Sequence, residues 1–153
     1  MDSLYLLLKF VHVAAVIVWV GGVFALVVLN ARLGGRGDAA VTAAMGQQSE
    51  AFGRTVIGPA MLVALLAGLW MAGQFGIPFT SLWIVWGVVG AVAFILIGVV
   101  AMGRAGAELA QLARSAGDSA RIAAVSQRLR LLSVLSILIL ASVVWAMVYK
   151  PML

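Results

Sequence analysis

The stretch LLLKFVHVAAVIVWVGGVFALVVLNAR, residues 6–32, decides the fold. Between Lys9 and Arg32 it runs for 22 residues without a formal charge. A helix needs roughly 20 apolar residues to cross the hydrocarbon core of a bilayer. Working outward, 49 uncharged residues separate Arg54 from Arg104, room for two crossings, and 19 separate Arg130 from Lys150. The spacing predicts spans over about residues 4–31, 56–73, 81–103 and 131–149. The expected fold is all-α: one integral membrane domain, a four-helix bundle, with an amphipathic helix between spans one and two. The leading MDSLYLLLKF carries Asp2 before any Lys, and the apolar run is about twice a signal core without an A-x-A site, so it reads as a retained span.

Composition agrees and excludes several functions. Of 153 residues 65% are hydrophobic and 10% charged, with mean hydropathy +1.18; a soluble domain carries about 25% charged residues. Without Cys there is no disulfide, thiolate metal site, iron–sulfur cluster or cysteine nucleophile. One His and five acids do not supply a multi-histidine or carboxylate-bridged metal centre. The net charge of +5 sits on residues flanking spans rather than on a basic stripe, which argues against nucleic acid.

The connections are short. Residues 38–54 repeat apolar positions at Val41, Met45 and Phe52 against Gln47, Glu50 and Arg54, a pattern for a helix lying in the headgroup region. Gly34-Gly35 ends span one, and Pro59 fits the first turn of span two. The charge-free 74–79 segment reads as a turn, with Thr80 or Ser81 capping span three. Helix formers beyond Arg104, broken at 115–119 with Asp118 or Ser119 as a new cap, extend spans three and four into water as a helical hairpin. Pro151 stops span four. Eight arginines lie in the first and third connections, against Lys9 and Lys150 on the other side. The positive-inside rule then places both termini outside the cytoplasm. Small residues recur at Ala60, Ala64, Gly68 and Ala72, at Gly21 and Ala25, and at Gly87 and Ala91, which suits close packing within the bundle.

Span one holds the candidate chemistry. Tyr5, Lys9, His12, Trp19 and Asn30 fall on one helical stripe at about 100° per residue. Ionisable groups inside a span are costly and mark functional sites by default. His12 has three readings: a haem-iron ligand, a proton relay, or an interhelical hydrogen bond. Lys9, one turn earlier, reaches the interface by snorkelling. No second His exists, so a second axial ligand must come from another copy or a partner, or from Met61, Met71, Met102 or Met147; otherwise the iron is five-coordinate. Each Met also has a reading as a core gap-filler. Trp83 and Trp86 follow the turn as interface anchors do.

The first span resembles that of bacterial membrane proteins related to CopD and to HemJ-type protoporphyrinogen oxidases. These share a Leu-Lys-x-x-His start followed by Trp, Gly and Phe, here Leu8-Lys9, His12, Trp19, Gly21-Gly22 and Phe24. The similarity continues in Pro59-Ala60-Met61, Gly68-Leu69-Trp70 and Val148-Tyr149-Lys150-Pro151. It implies a four-span protein in which His12 ligates haem b, with Lys9 and Trp19 beside it. The HemJ-type third span also carries a Lys and a His; residues 83–103 have neither, and the chain is most similar to the uncharacterised relatives.

Three expectations follow. The first is a haem b protein acting in electron transfer or as an accessory. The second is a structural or interaction subunit that meets a membrane-protein partner or further copies of itself in the bilayer. The third, a porphyrinogen oxidase, needs more polar residues within the spans than this chain has, so the balance leans away from an enzyme.

Overall fold

The computed structural model describes residues 3–33, 39–114 and 119–150, with side chains at 3–32, 46–112 and 119–150. The break at Gly34-Gly35, the apolar face at Val41 and Met45, the cap at Asp118, Arg36, the side chain of Arg114, and Pro151 lie outside that description. Among the described residues six α-helices follow in order: α1 Ser3–Leu33, α2 Ala39–Phe52, α3 Gly58–Gln74, α4 Leu82–Ile95, α5 Gly103–Arg114 and α6 Ser119–Tyr149. Two π-helical segments, Gly53–Ile57 and Leu96–Met102, join α2 to α3 and α4 to α5. Four of the resulting rods are long and apolar enough to cross a bilayer: Ser3–Arg32, Gly46–Gln74, Leu82–Leu112 and Ser119–Tyr149. The protein is an all-α membrane helical bundle.

A helix forms over the segment expected to be amphipathic, Ala39–Phe52, but it runs on into span two instead of ending before it. Proline explains the wide turn at the junction. Pro59 has no N–H to donate back to Thr55, and its ring crowds that carbonyl. The chain relieves this by widening, so the Gly58 N–H bonds to Gly53 O five residues back. Span three continues beyond Gly103 as one rod, as the helix formers past Arg104 lead one to expect, since no residue from 96 to 112 is a proline.

Each of the two hairpins is sealed by its own contacts. α1 lies antiparallel to the α2–α3 rod: Tyr5 meets Phe75 edge-on at 4.9 Å, Gly22 faces Ile57 and Phe52, and Asn30 Nδ2 donates to Ser49 Oγ at 3.4 Å. α4 and α6 form the second hairpin, closed at its far end by Arg121 donating to Glu108 at 3.0 Å. The turn between the hairpins is a helix-stop. Gly76 takes φ +63°, and the Ile77 N–H reaches Ala72 O at 2.9 Å, satisfying a carbonyl at the end of α3. Ser81 precedes α4 and its carbonyl accepts from Ile84 and Val85 N–H.

Between the hairpins sits one apolar cluster of Ala15, Trp19, Val23, Ile57, Ala64, Ala91 and Leu140. Its centre is Trp19, 4% exposed and edge-on to Phe94 with ring centroids 5.6 Å apart. Outside, Phe10, Ile17, Val99 and Leu138 stand exposed, as lipid-facing side chains do. The antiparallel order gathers Arg32, Arg54, Arg104, Arg121, Arg128 and Arg130 towards one end of the bundle, and Lys9, Lys150, Trp83 and the 74–81 turn towards the other.

Candidate functional site

His12 lies nine residues into α1, about 13 Å from its start and within the apolar span. It shares the inward face with Ala15, Trp19 and Val23, at successive three- and four-residue steps. The ring crosses to α3: His12 Nδ1 lies 2.7 Å from Ala64 O. A carbonyl oxygen only accepts, so Nδ1 carries the proton and, in the neutral ring, Nε2 keeps the lone pair. Among the described residues Nε2 has no hydrogen-bond partner.

Glycine makes this seat. A Cβ on Gly68 would stand 3.0 Å from His12 Cε1 and 3.1 Å from Nδ1. Ala64 and Gly68 therefore let the imidazole lie against the backbone of α3, where the Ala64 carbonyl is within reach. In the sequence this small-residue stripe reads as helix packing alone. Which ring would enter it depends on the α1–α3 register, a tertiary property.

The expected stripe divides in space. His12 and Trp19 are brought to the interior. Lys9 is exposed, its Nζ 5.9 Å from the Tyr5 ring centroid, and Asn30 is exposed near the arginine end. Lys9 therefore approaches the interior only through the three-residue step that separates it from His12. Trp19 Nε1 is buried without a hydrogen-bond partner among the described residues. Trp86, by contrast, donates to Ser142 Oγ at 3.2 Å, while Trp70 and Trp145 stand exposed. The four methionines considered as ligands are all half-buried. Met61 packs on the central cluster, and the methyl of Met147 fills the space over Gly87.

With helices, spans and intramembrane histidine in place, the comparison with known families is informative. A family described as "Predicted integral membrane protein (DUF2269)" matches residues 6–151. The chain belongs to this family. The match takes in the first span from residue 6, with its histidine, and the other three spans whole. No curated protein and no solved structure matches the chain. For a DUF2269 member, then, the residues themselves must indicate the chemistry.

The donor set suits a metalloporphyrin in one respect. Ligating histidines regularly donate their second ring nitrogen to a carbonyl or carboxylate, which fixes the tautomer and raises basicity. The His12–Ala64 bond is of that kind. The same bond equally joins α1 to α3 as a structural contact.

Proposed function

We propose that this protein binds haem b in the membrane through His12 Nε2 and serves in electron transfer or as an accessory to it. The observation that carries the reading is the 2.7 Å bond from His12 Nδ1 to Ala64 O, which leaves Nε2 as the ring's base inside an apolar span. The residues fit the group in their donor chemistry: a neutral imidazole, oriented through its second nitrogen, on a face lined by Ala15 and Ala64. The resemblance of the first span to CopD- and HemJ-related proteins supports the same residue. When bound, haem supplies one-electron chemistry.

The chain's own part is to hold and shield. Ala64 fixes the ring's rotation, Gly68 makes room for it, and Trp19 closes the interior side with a buried indole. Lys9, one turn from His12 towards the end of the bundle, offers a cation to a carboxylate at the membrane surface. The concentration of arginines at the opposite end supports an orientation with that end cytoplasmic and both termini outside, in a bacterial inner membrane. Lys9 and His12 then lie towards the outer surface.

A second reading, a non-enzymatic subunit of a larger membrane complex, has the same bond in its favour, since it clamps α1 to α3. One measurement separates them. Purified protein, expressed with ample haem, is scanned oxidised and dithionite-reduced beside His12→Ala. We expect a Soret band with reduced α and β bands that the variant loses. A colourless wild type sinks haem binding and leaves the subunit reading.

A further inference from the structure

Where the arginines gather, the surface of the bundle changes character within about one helical turn. On the membrane side of that level every rod exposes a large apolar side chain: Leu29 on α1, Phe52 at the end of α2, Val100 ahead of α5 and Leu131 on α6. On the far side, from Gly103 to Leu112 and from Ser119 to Arg130, no large apolar side chain is exposed. Leu109, Leu112 and Ile122 are half-buried and Val125 is buried, while Gln111 and Gln127 stand outside. Hydrocarbon favours the first kind of surface and water the second, so the step marks the headgroup layer.

Four arginines stand at that step. Trp19 meets Phe94 on a helix parallel to its own; Arg32 lies 13 residues past Trp19, and Arg104 lies 10 past Phe94. Their levels therefore differ by about 4.5 Å, less than one turn. On the antiparallel α6, Gly90 faces Val143 and Glu108 pairs with Arg121. Between these two contacts Arg104 falls opposite the turn that carries Arg128, and Arg130 follows about 3 Å further along. All four side chains are exposed.

These four have no carboxylate partner among the described residues. The two described acids are already engaged, Glu50 by Arg54 and Glu108 by Arg121. An uncompensated guanidinium held at headgroup depth offers a planar fork that matches phosphate oxygens two at a time. Arginines that only report topology would stay hydrated and meet zwitterionic and anionic lipids alike.

We propose that Arg32, Arg104, Arg128 and Arg130 form a collar that binds the headgroup phosphates of anionic phospholipids in preference to zwitterionic ones. Each basic side chain near an anionic surface favours association by roughly fivefold. The collar lies about 30 Å along α1 from His12 and acts whether or not that ring holds a ligand.

The test uses purified protein in phosphatidylcholine bilayers carrying a trace of spin-labelled phosphatidylglycerol or spin-labelled phosphatidylcholine. Electron paramagnetic resonance measures the fraction of each label immobilised at the protein. We expect the anionic label to associate several-fold more strongly with wild type, and less so at high salt. Arg104→Gln/Arg130→Gln, checked for helicity and monodispersity, loses most of that preference. Arg121→Gln keeps it, because residue 121 lies about 13.5 Å past Arg130, beyond the headgroup layer.

Equal association of the two labels with wild type overturns the proposal without recourse to any variant. An unchanged preference in the double variant overturns the collar assignment. A loss in Arg121→Gln as large as in the double variant overturns it too, since net charge alone would then be responsible. Displacement of the label by inorganic phosphate, but not by chloride at equal ionic strength, gives the site to free phosphate and overturns the lipid assignment.

Discussion

The two helical hairpins use the same device to opposite ends. In each, a row of small residues on one helix opens a groove for the other. On α3 the groove at Ala64 and Gly68 admits an imidazole, whose atoms would lie 3.0 and 3.1 Å from a Cβ at Gly68. On α4 the groove at Gly87 and Gly90 admits hydrocarbon and thioether, with Met147 Cε at 2.2 Å and Val143 Cγ2 at 2.3 Å from the corresponding points. The polar groups differ in the same sense. Ser133, Ser136 and Ser142 of α6 turn their hydroxyls back onto carbonyls of their own helix, Leu129, Leu132 and Ile139. His12 instead takes its bond from the neighbouring helix. A row of small residues thus specifies close approach and nothing more; the residue that enters it decides whether the result is packing or a site.

The largest effect should come where the groove is tightest against a stiff side chain. Gly90→Ala drives a methyl into Val143 Cγ2, and Val143 is buried and β-branched, with its rotamer restricted in a helix. Overpacking of this kind costs about 1–3 kcal/mol, offset by up to about 1 kcal/mol from removing a helical glycine. We expect a net loss of about 1–2 kcal/mol in reversible unfolding from mixed micelles, with the α4–α6 hairpin loosened. Wild-type stability in Gly90→Ala would mean that the second hairpin is not held by this interlock.

Gly68→Ala is the matching change in the first hairpin and should cost less. The ring must retreat by a few tenths of an ångström, which stretches the 2.7 Å bond to Ala64 O. Interhelical hydrogen bonds in membranes are worth about 0.6 kcal/mol on average, so stability should fall by less than in Gly90→Ala. Its signature is a shifted His12 Nδ1–H resonance in ¹⁵N-edited spectra of histidine-labelled protein. A stability loss as large as that of Gly90→Ala would show the imidazole seat to be as unyielding as the apolar one. An unshifted resonance would mean that the ring does not rest on Gly68.

Much of this was legible in the sequence. Charge-free runs fix the number of spans because the bilayer penalises charge regardless of how helices pack. The turn at 74–81 follows from Gly76, whose left-handed φ the stop requires. The inward placement of His12 and Trp19 follows from helical periodicity along one chain segment. Lys9, whose snorkelling to the interface agrees with its exposure, and Asn30 share the wheel position but are exposed towards the bundle's two ends. The π-turn before Gly58 was hidden. Pro59 forbids one hydrogen bond, but whether the helix kinks, ends or widens depends on what it packs against.

Gly87→Ala should have the smallest effect on stability, although its contact distance is the shortest of the three. The atom that a new methyl would meet is Met147 Cε, the free end of an unbranched side chain with three rotatable bonds. Rotation of the thioether relieves the clash, and removal of a helical glycine returns up to about 1 kcal/mol. We therefore expect unfolding stability within about 0.5 kcal/mol of wild type, the range of ordinary surface changes. The methyl resonance of Met147, followed in methyl-labelled protein, should nevertheless move because its seat has been filled. If Gly87→Ala instead destabilises as much as Gly90→Ala, Met147 is locked in its groove and is part of the packing. If it is tolerated and the methyl moves, the thioether sits on a mobile arm over Gly87. Such an arm fills its groove without fixing the hairpin that carries it, whereas Val143 does both.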